Sequence, residues 1–221
     1  MFLPQRTPLL AILTALIFTL TTTSLPHHSQ ERKPYPKTTR SSDSPFDIST
    51  LTVPLTNGTA TLPSPSGTLK AITLGLGTQN YTCNETTPSP VQVGAKAVLF
   101  DLSPFLPWLS PFLPLVPQKA MATDPEVIKG AADILGNHIF NALGVPCFHL
   151  GKEGDLAAKK VPGAELDMEN AVPWLKLVDA GGSEGVDQVY RVNTVGGKPA
   201  KTCAQAGDIE VPYAALYYFY E

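Results

Sequence analysis

From residue 51 onward, apolar residues form short runs that are separated by Gly, Pro and Asn. Runs rich in β-branched and aromatic residues between such breaks predict β-strands. About eight strands in one domain indicate an antiparallel all-β fold, either a sandwich or a barrel. The predicted strands are residues 68–76, 79–83, 91–102, 138–140, 146–150, 174–178, 188–193 and 211–220.

Residues 124–135 form the one segment with a helical pattern. Asp124 is a suitable N-cap, Pro125 suits the first helical position, and Glu126 lies in the first turn. Apolar residues follow at a spacing that places them on one side of a helix. One helix added to a body of strands leaves the fold all-β.

Residues 103–117 contain an imperfect repeat, SPFLPWL followed by SPFLPLV, with five prolines. Proline at this density disfavours both helix interiors and central strands, so we predict an extended or turn-rich loop. Its apolar side chains have two interpretations. They cover one end of the core, or they form an exposed surface for apolar contact with a lipid, a partner or a second copy.

The first 49 residues have the features of export and processing segments. An apolar run at 9–20 follows Arg6 and ends in small polar residues, which is typical of a secretory signal peptide at 1–24. A membrane anchor is the alternative, but spanning takes roughly 20 apolar residues. Residues 25–49 are rich in Pro, Ser and Thr and predict a linker or pro-segment. We therefore expect a single domain at 50–221, with no membrane span, secreted to the extracellular space or cell wall.

Composition excludes several classes of protein. Hydrophobic residues make up 43% of the chain and charged residues 16%, which argues against disorder. Without residues 1–45 the chain carries 11 basic and 17 acidic residues, a net charge of −6. Such a domain has no electrostatic reason to bind nucleic acid or an anionic membrane.

Three sequons and three cysteines agree with export. The sequons begin at Asn57, Asn80 and Asn84, and N-glycosylation is expected mainly at Asn57 and Asn84 because Asn80 lies within a predicted strand. An odd number of cysteines leaves one thiol unpaired in an oxidising compartment.

Candidate chemistry is sparse. His138 and His149 flank a short loop, with Cys147 on the same face as His149, but no fourth ligand has a recognised spacing, so we predict no metal. No serine occupies a nucleophile elbow, and the carboxylates are scattered. An enzyme would have to use strand-borne polar residues in one cleft, for which the candidates are Gln79, Asn80, His138 and Arg191.

The sequence from Gly75 to Asn80 resembles the start of a dinucleotide-binding G-x-G-x-x-G turn. That motif needs a third glycine and a helix whose N-terminus faces the pyrophosphate. Here Asn80 takes the third glycine position and YTCNETTPSP follows, a stretch unsuited to a helix. No nicotinamide cofactor is therefore expected.

Several runs together resemble a known family. They are LKAITLGLGTQNYTC, VGAKAVLFD, VPWLKL, VYRVNTVGGKPAKTC and VPYAALYYFY, in order over roughly residues 60–220. They are similar to the secreted, mainly fungal domain of unknown function 3455, whose members are often labelled malate dehydrogenase. The resemblance implies no established activity. The missing phosphate-binding turn and βαβ series argue against the malate dehydrogenase label.

Cys83 and Cys203 end predicted strand runs at the edges of these family motifs, whereas Cys147 lies within a strand among apolar neighbours. We predict a Cys83–Cys203 disulfide and a free, buried Cys147.

Two further expectations concern strand registers. Along residues 69–83 the inward parity has to change between Leu76 and Tyr81, so we predict a bulge near 75–78. Residues 211–220 carry large groups on both faces, which predicts a central strand with Tyr217 and Phe219 packed inward against Trp174.

The sequence thus favours a secreted, glycosylated, non-catalytic β-domain that binds an extracellular ligand, such as a carbohydrate or wall component, without a cofactor. An extracellular enzyme with a strand-borne polar site is the alternative.

Overall fold

The computed structural model describes residues 46–84 and 88–221. The predicted signal peptide and most of the predicted linker lie outside these residues. The described part begins with a 3₁₀ turn at Ile48–Thr50, whose Asp47 carboxylate accepts a hydrogen bond from the Ser49 N–H. A small hairpin follows, formed by β1 (Thr56–Asn57) and β2 (Ala60–Thr61).

Eight further strands form a closed antiparallel barrel, which confirms the all-β prediction and decides between a barrel and a sandwich. Each strand pairs with the next along the chain, and the last pairs with the first to close the sheet. The strands are β3 (Leu69–Cys83), β4 (Val91–Asp101), β5 (Ile134–Phe140), β6 (Pro146–His149), β7 (Asp155–Leu166), β8 (Trp174–Asp179), β9 (Gln188–Gly196) and β10 (Gly207–Tyr220).

The barrel has a hydrophobic cluster on each side of its wall. The outer cluster combines residues such as Ile72 and Leu216 with Leu106 of the helical segment and Leu62 of the N-terminal region. The other cluster, here the interior cluster, consists of the alternate strand residues together with a few loop residues, and includes Phe219. Because the helical segment covers the first face, the second face lines the barrel interior.

The proline-rich segment is a series of short helices and 3₁₀ turns, so the extended form of the predicted loop is wrong and the turn-rich form agrees better. It consists of a 3₁₀ turn at Ser103–Phe105, α1 (Leu106–Leu109), a 3₁₀ turn at Ser110–Leu115, and α2 (Val116–Met121). All its prolines except Pro114 occupy the first or second position of one of these short elements. At those positions proline removes no intrahelical hydrogen bond, so repeated short turns tolerate the composition.

The apolar side chains of this segment divide between the two interpretations. Leu106 and Leu113 are buried in the outer cluster, as the covering interpretation predicts. Trp108 is 62% exposed and Phe112 is 57% exposed. None of the helices that the structure describes is long and apolar enough to cross a membrane.

The helix predicted at 124–135 is shorter than expected. In the structure α3 spans Pro125–Ala131, and the Asp124 side chain accepts a hydrogen bond from the Glu126 N–H as predicted. Ile134 instead begins β5, because pairing with Phe100 of β4 offers its backbone a partner. The strand β7 was missed, since Pro162 and Gly163 interrupt its pattern where its register with β8 shifts.

The bulge predicted near residues 75–78 is absent. The register of β3 with β10 is continuous from Ala71 to Cys83, and its register with β4 shifts only between Asn80 and Tyr81. Residues 71–75 are all buried, so inward and outward apolar residues coexist there without a bulge. Gly77 instead permits close strand approach, because a Cβ there would lie 1.8 Å from the Lys96 carbonyl oxygen.

Gly77→Ala is expected to destabilise the fold by about 2 to 3 kcal/mol, because backbone rather than a flexible side chain occupies the space. Urea unfolding of the variant and the wild type measures the difference. Gly58→Ala is the control: at a φ of +65° it carries backbone strain but meets nothing within 4 Å. Equal losses in the two variants would contradict the close-approach explanation.

The C-terminal strand is central, as predicted. β10 pairs with both β3 and β9, and residues 213–220 are all buried. Tyr217 and Phe219 belong to the interior cluster, but Trp174 belongs to the outer one, so their predicted contact with Trp174 is wrong. The neighbour of Trp174, Leu175, points inward, and alternation along β8 turns Trp174 outward.

Cys83 and Cys203 form a disulfide with a Cα–Cα distance of 5.8 Å, and Cys147 is free and buried. The bridge joins the end of β3 to the loop that precedes β10. The Cys203 N–H also donates to the Pro88 carbonyl at 3.0 Å.

Candidate functional site

A cavity of about 400 Å³ opens at the barrel end that carries the β5–β6 turn. Part of its wall belongs to the interior cluster, including Phe148, Leu175 and Leu177. Polar groups converge on this apolar wall from four strands. They are Tyr81 of β3, His138 of β5, Arg191 of β9 and Tyr217 of β10.

Strand register explains why Arg191 faces this cavity. It pairs with Leu175 on one side and with Tyr217 on the other, and both belong to the interior cluster. Arg191 is only 8% exposed. Its Nε and Nη2 donate to the Pro173 carbonyl at 3.2 and 3.0 Å. Among the described residues no carboxylate lies within 4.0 Å of its guanidinium.

Two tyrosines extend this polar group into the barrel. The Tyr217 hydroxyl lies 2.8 Å from the Tyr213 hydroxyl, and Tyr217 pairs with Arg191 across the sheet. Burial raises the pKa of Tyr217, and the positive charge of Arg191 opposes that shift. Burial likewise raises the pKa of Tyr213. Both phenols therefore stay protonated and neutral, and Arg191 is the buried charge of the group.

The Tyr81 hydroxyl belongs to the same wall. It donates to the Gly197 carbonyl at 2.7 Å, which fixes the ring at the cavity side. Burial raises the pKa of Tyr81, and the nearby charge of Arg191 lowers it. The charge of Arg191 thus opposes the effect of burial on the pKa of both Tyr81 and Tyr217.

His138 is a further buried ionisable group of the cavity wall. It pairs with Ala97 and Phe148, and its ring stacks on Phe148 with centroids 4.2 Å apart. Its Nδ1 lies 2.9 Å from the Cys147 carbonyl oxygen, which can only accept, so Nδ1 carries the proton. Nε2 is then an acceptor when the ring is neutral.

Burial lowers the pKa of His138 to about 4; the hydrogen bond to Cys147 opposes this shift and the charge of Arg191 adds to it. As the pH falls, His138 is therefore protonated near pH 6.5 in the unfolded chain but stays neutral in the folded protein until about pH 4. Stability is present above about pH 6.5 and falls as the pH drops towards 4. We expect wild type to lose about 2 kcal/mol more than His138→Gln between pH 7 and 4.5.

Urea unfolding of both proteins at the two pH values measures this difference. The amide of His138→Gln does not titrate, so losses common to both proteins come from other groups. Equal losses would contradict a neutral, buried imidazole.

The structure brings together two of the four residues proposed for a polar cleft. His138 and Arg191 line the cavity, whereas Gln79 and Asn80 do not. The Gln79 amide donates to the Gly94 carbonyl at 3.4 Å, and its Oε1 is buried without a hydrogen-bond partner. Asn80 lies on the opposite face of β3 and accepts a hydrogen bond from Thr78. Neighbouring residues of a strand point to opposite faces, so Gln79 and Asn80 could not both line the cavity.

The histidines considered for a metal lie on opposite faces of the β5–β6 hairpin. His138 pairs with Phe148, whereas His149 pairs with Asn137. The Nδ1 atom of His149 lies 2.6 Å from the Asp155 carboxylate. The sequence suggested that the two imidazoles stand nearly opposite each other across the hairpin. The register is shifted by one residue from that arrangement. Across residues 46–84 and 88–221, no group of three His, Cys, Asp or Glu side chains is arranged to hold a metal.

Sequence reasoning missed Tyr81 and Tyr217 as cavity residues. Tyr217 was predicted to face inward, but nothing local indicated that an arginine of β9 would meet it. Lys160 and Glu165, also lining the cavity, form an exposed ion pair at 2.7 Å. They come together where the β7 register shifts, which the sequence did not predict.

The sequons differ in their surroundings. Asn57 is exposed in the β1–β2 hairpin, and Asn80 is partly buried within β3. Asn84 is exposed. The rest of its sequon, residues 85 and 86, and the following residue lie outside the described part.

A family profile described as protein of unknown function (DUF3455) matches residues 63–221. No curated protein and no solved structure matches the chain.

Proposed function

The chain belongs to the DUF3455 family of proteins of unknown function, and we propose that it is a secreted, glycosylated and non-catalytic binding protein. It acts in the extracellular space or cell wall. Its ligand is a small molecule that enters the barrel-end cavity.

The observation that carries this proposal is the cavity itself. Its volume of about 400 Å³ lies in the range of small-molecule sites, roughly 300 to 1,000 Å³. Such sites combine apolar walls with a few polar groups that orient a ligand. Here Phe148, Leu175 and Leu177 supply apolar wall, and Arg191 and His138 supply the polar groups.

Export is supported by the sequence. The apolar run at 9–20 precedes small polar residues, and the sequons at Asn57 and Asn84 begin on exposed asparagines. The disulfide between Cys83 and Cys203 suits an oxidising compartment.

Blocking the cavity mouth tests the binding function. Val93 is 53% exposed and lines the cavity, so Val93→Trp adds bulk there without disturbing the core. Val91, 46% exposed on the same strand, does not line it, and Val91→Trp is the matched control. A library of charged and neutral fragments is screened by ligand-observed NMR against the exported protein. We expect hits that Val93→Trp loses and Val91→Trp keeps; no hits, or equal loss in both variants, would contradict the proposal.

Intact mass and N-terminal sequencing of the exported chain test the rest. We expect cleavage near residue 24 and loss of one glycan in each of Asn57→Gln and Asn84→Gln. An uncleaved, sugar-free protein in the culture medium would overturn the export and glycosylation part alone.

An enzyme is the second candidate, because His138 and Arg191 do share one cavity. A neutral imidazole beside a fixed cation is able to accept a proton from a bound anionic substrate. Conversion of any fragment hit, abolished in His138→Gln while binding persists, would replace the non-catalytic proposal with this one.

A further inference from the structure

We propose that the cavity binds a small organic monocarboxylate with an apolar body, and that Arg191 is the residue that holds its carboxylate. This inference rests on the binding function proposed above and names the chemical class of its ligand.

The first step is the charge of Arg191. A guanidinium stays protonated in proteins, so this side chain is a permanent cation. It is only 8% exposed, and no carboxylate of the described residues lies within 4.0 Å of its guanidinium. Buried charges are normally paired, because removing a lone charge from water is unfavourable. An anionic ligand would supply the missing partner.

The second step is hydrogen-bond capacity. Arginine has five N–H groups, and the hydrogen bonds to the Pro173 carbonyl use two of them. Three N–H groups are left. They are enough for a carboxylate, which guanidinium groups commonly bind through paired N–H···O bonds.

The third step is the number of charges. His138 is neutral at physiological pH, because burial lowers its pKa to about 4. Lys160 pairs with Glu165 at the exposed rim, so that pair adds no net charge. One buried cation therefore faces the cavity, which favours a monoanion over a multiply charged phosphate.

The fourth step is the rest of the wall. Phe148, Val172, Leu175 and Leu177 present apolar surface to the same space. A carboxylate attached to an apolar body would bury both parts against matching groups, whereas a free inorganic anion would leave this surface uncovered.

The test compares benzoate with its neutral isostere benzamide and with inorganic phosphate, by calorimetry at neutral pH on the full exported chain. Charged hydrogen bonds are strong enough that benzoate is expected to bind about tenfold or more tighter than benzamide. Arg191→Met removes the charge and keeps much of the apolar length. We expect it to weaken benzoate binding about tenfold or more and to leave benzamide within about threefold.

Arg191→Lys is the conservative control, which keeps the charge and loses the planar fork, and it should retain part of the preference for benzoate. If Arg191→Met fails to fold, the wild-type ratio and Arg191→Lys still decide the question. Equal binding of benzoate and benzamide would overturn the carboxylate assignment and leave the binding function standing. Phosphate binding tighter than benzoate would also overturn it. Absence of any hit in the fragment screen would overturn both proposals.

Discussion

Deleting residues 217–221 is expected to prevent folding. The deletion removes Tyr217, Tyr218, Phe219 and Tyr220, each at most 4% exposed. Burying a large apolar side chain contributes roughly 1.5 to 3 kcal/mol, so the four together approach or exceed a typical domain stability of about 5 to 15 kcal/mol. The deletion also removes more than half of the pairing between β9 and β10, since those residues pair with 188–191.

Secretion yield and circular dichroism of the truncated chain measure this effect. Deletion of Glu221 alone is the matched control, because that residue is exposed and lies outside β10. Phe219→Ala gives a graded version, with an expected loss of about 3 to 5 kcal/mol in the free energy of unfolding. A truncated protein with an unchanged melting profile would show that the strand is peripheral.

Removing the disulfide with the double variant Cys83→Ser and Cys203→Ser is expected to lower the free energy of unfolding by about 4 to 5 kcal/mol. The bridge closes a loop with a sequence separation of 120 residues, and the chain-entropy model assigns a loop of that size this stabilisation. Without the bridge, the loop before β10 keeps its backbone hydrogen bond from Cys203 to Pro88.

Chemical unfolding under non-reducing conditions measures the loss. Cys147→Ala is the control, because it removes a free, buried thiol and leaves the bridge intact; we expect it to cost about 1 kcal/mol. A non-reducing peptide map with Cys147 in a bridge, or a larger loss in the control than in the double variant, would contradict this account.

The two local features that the sequence predicted best are the start of α3 and the two-sided burial of β10. Asp124, Pro125 and Glu126 form a helix start whose interactions span only three residues, so the sequence contains the whole signal. In β10, large apolar side chains at consecutive positions require partners on both faces, whatever those partners are. The end of α3 was not predictable in this way, because Ile134 joins β4 through pairing with a residue far away in sequence.

The sequence by itself therefore determined the strand-rich class, most of the strand positions, the helix start and the inward orientation of Tyr217, all of which depend on alternation and capping over a few residues. Only the tertiary structure decided that β10 closes a barrel onto β3, that short proline-initiated turns pack against part of its outer face, and that Arg191 and His138 line one cavity which Gln79 and Asn80 do not. The physical reason is strand register. Each of these outcomes depends on which residue pairs with which across the sheet, and a shift of one residue turns every side chain to the other face.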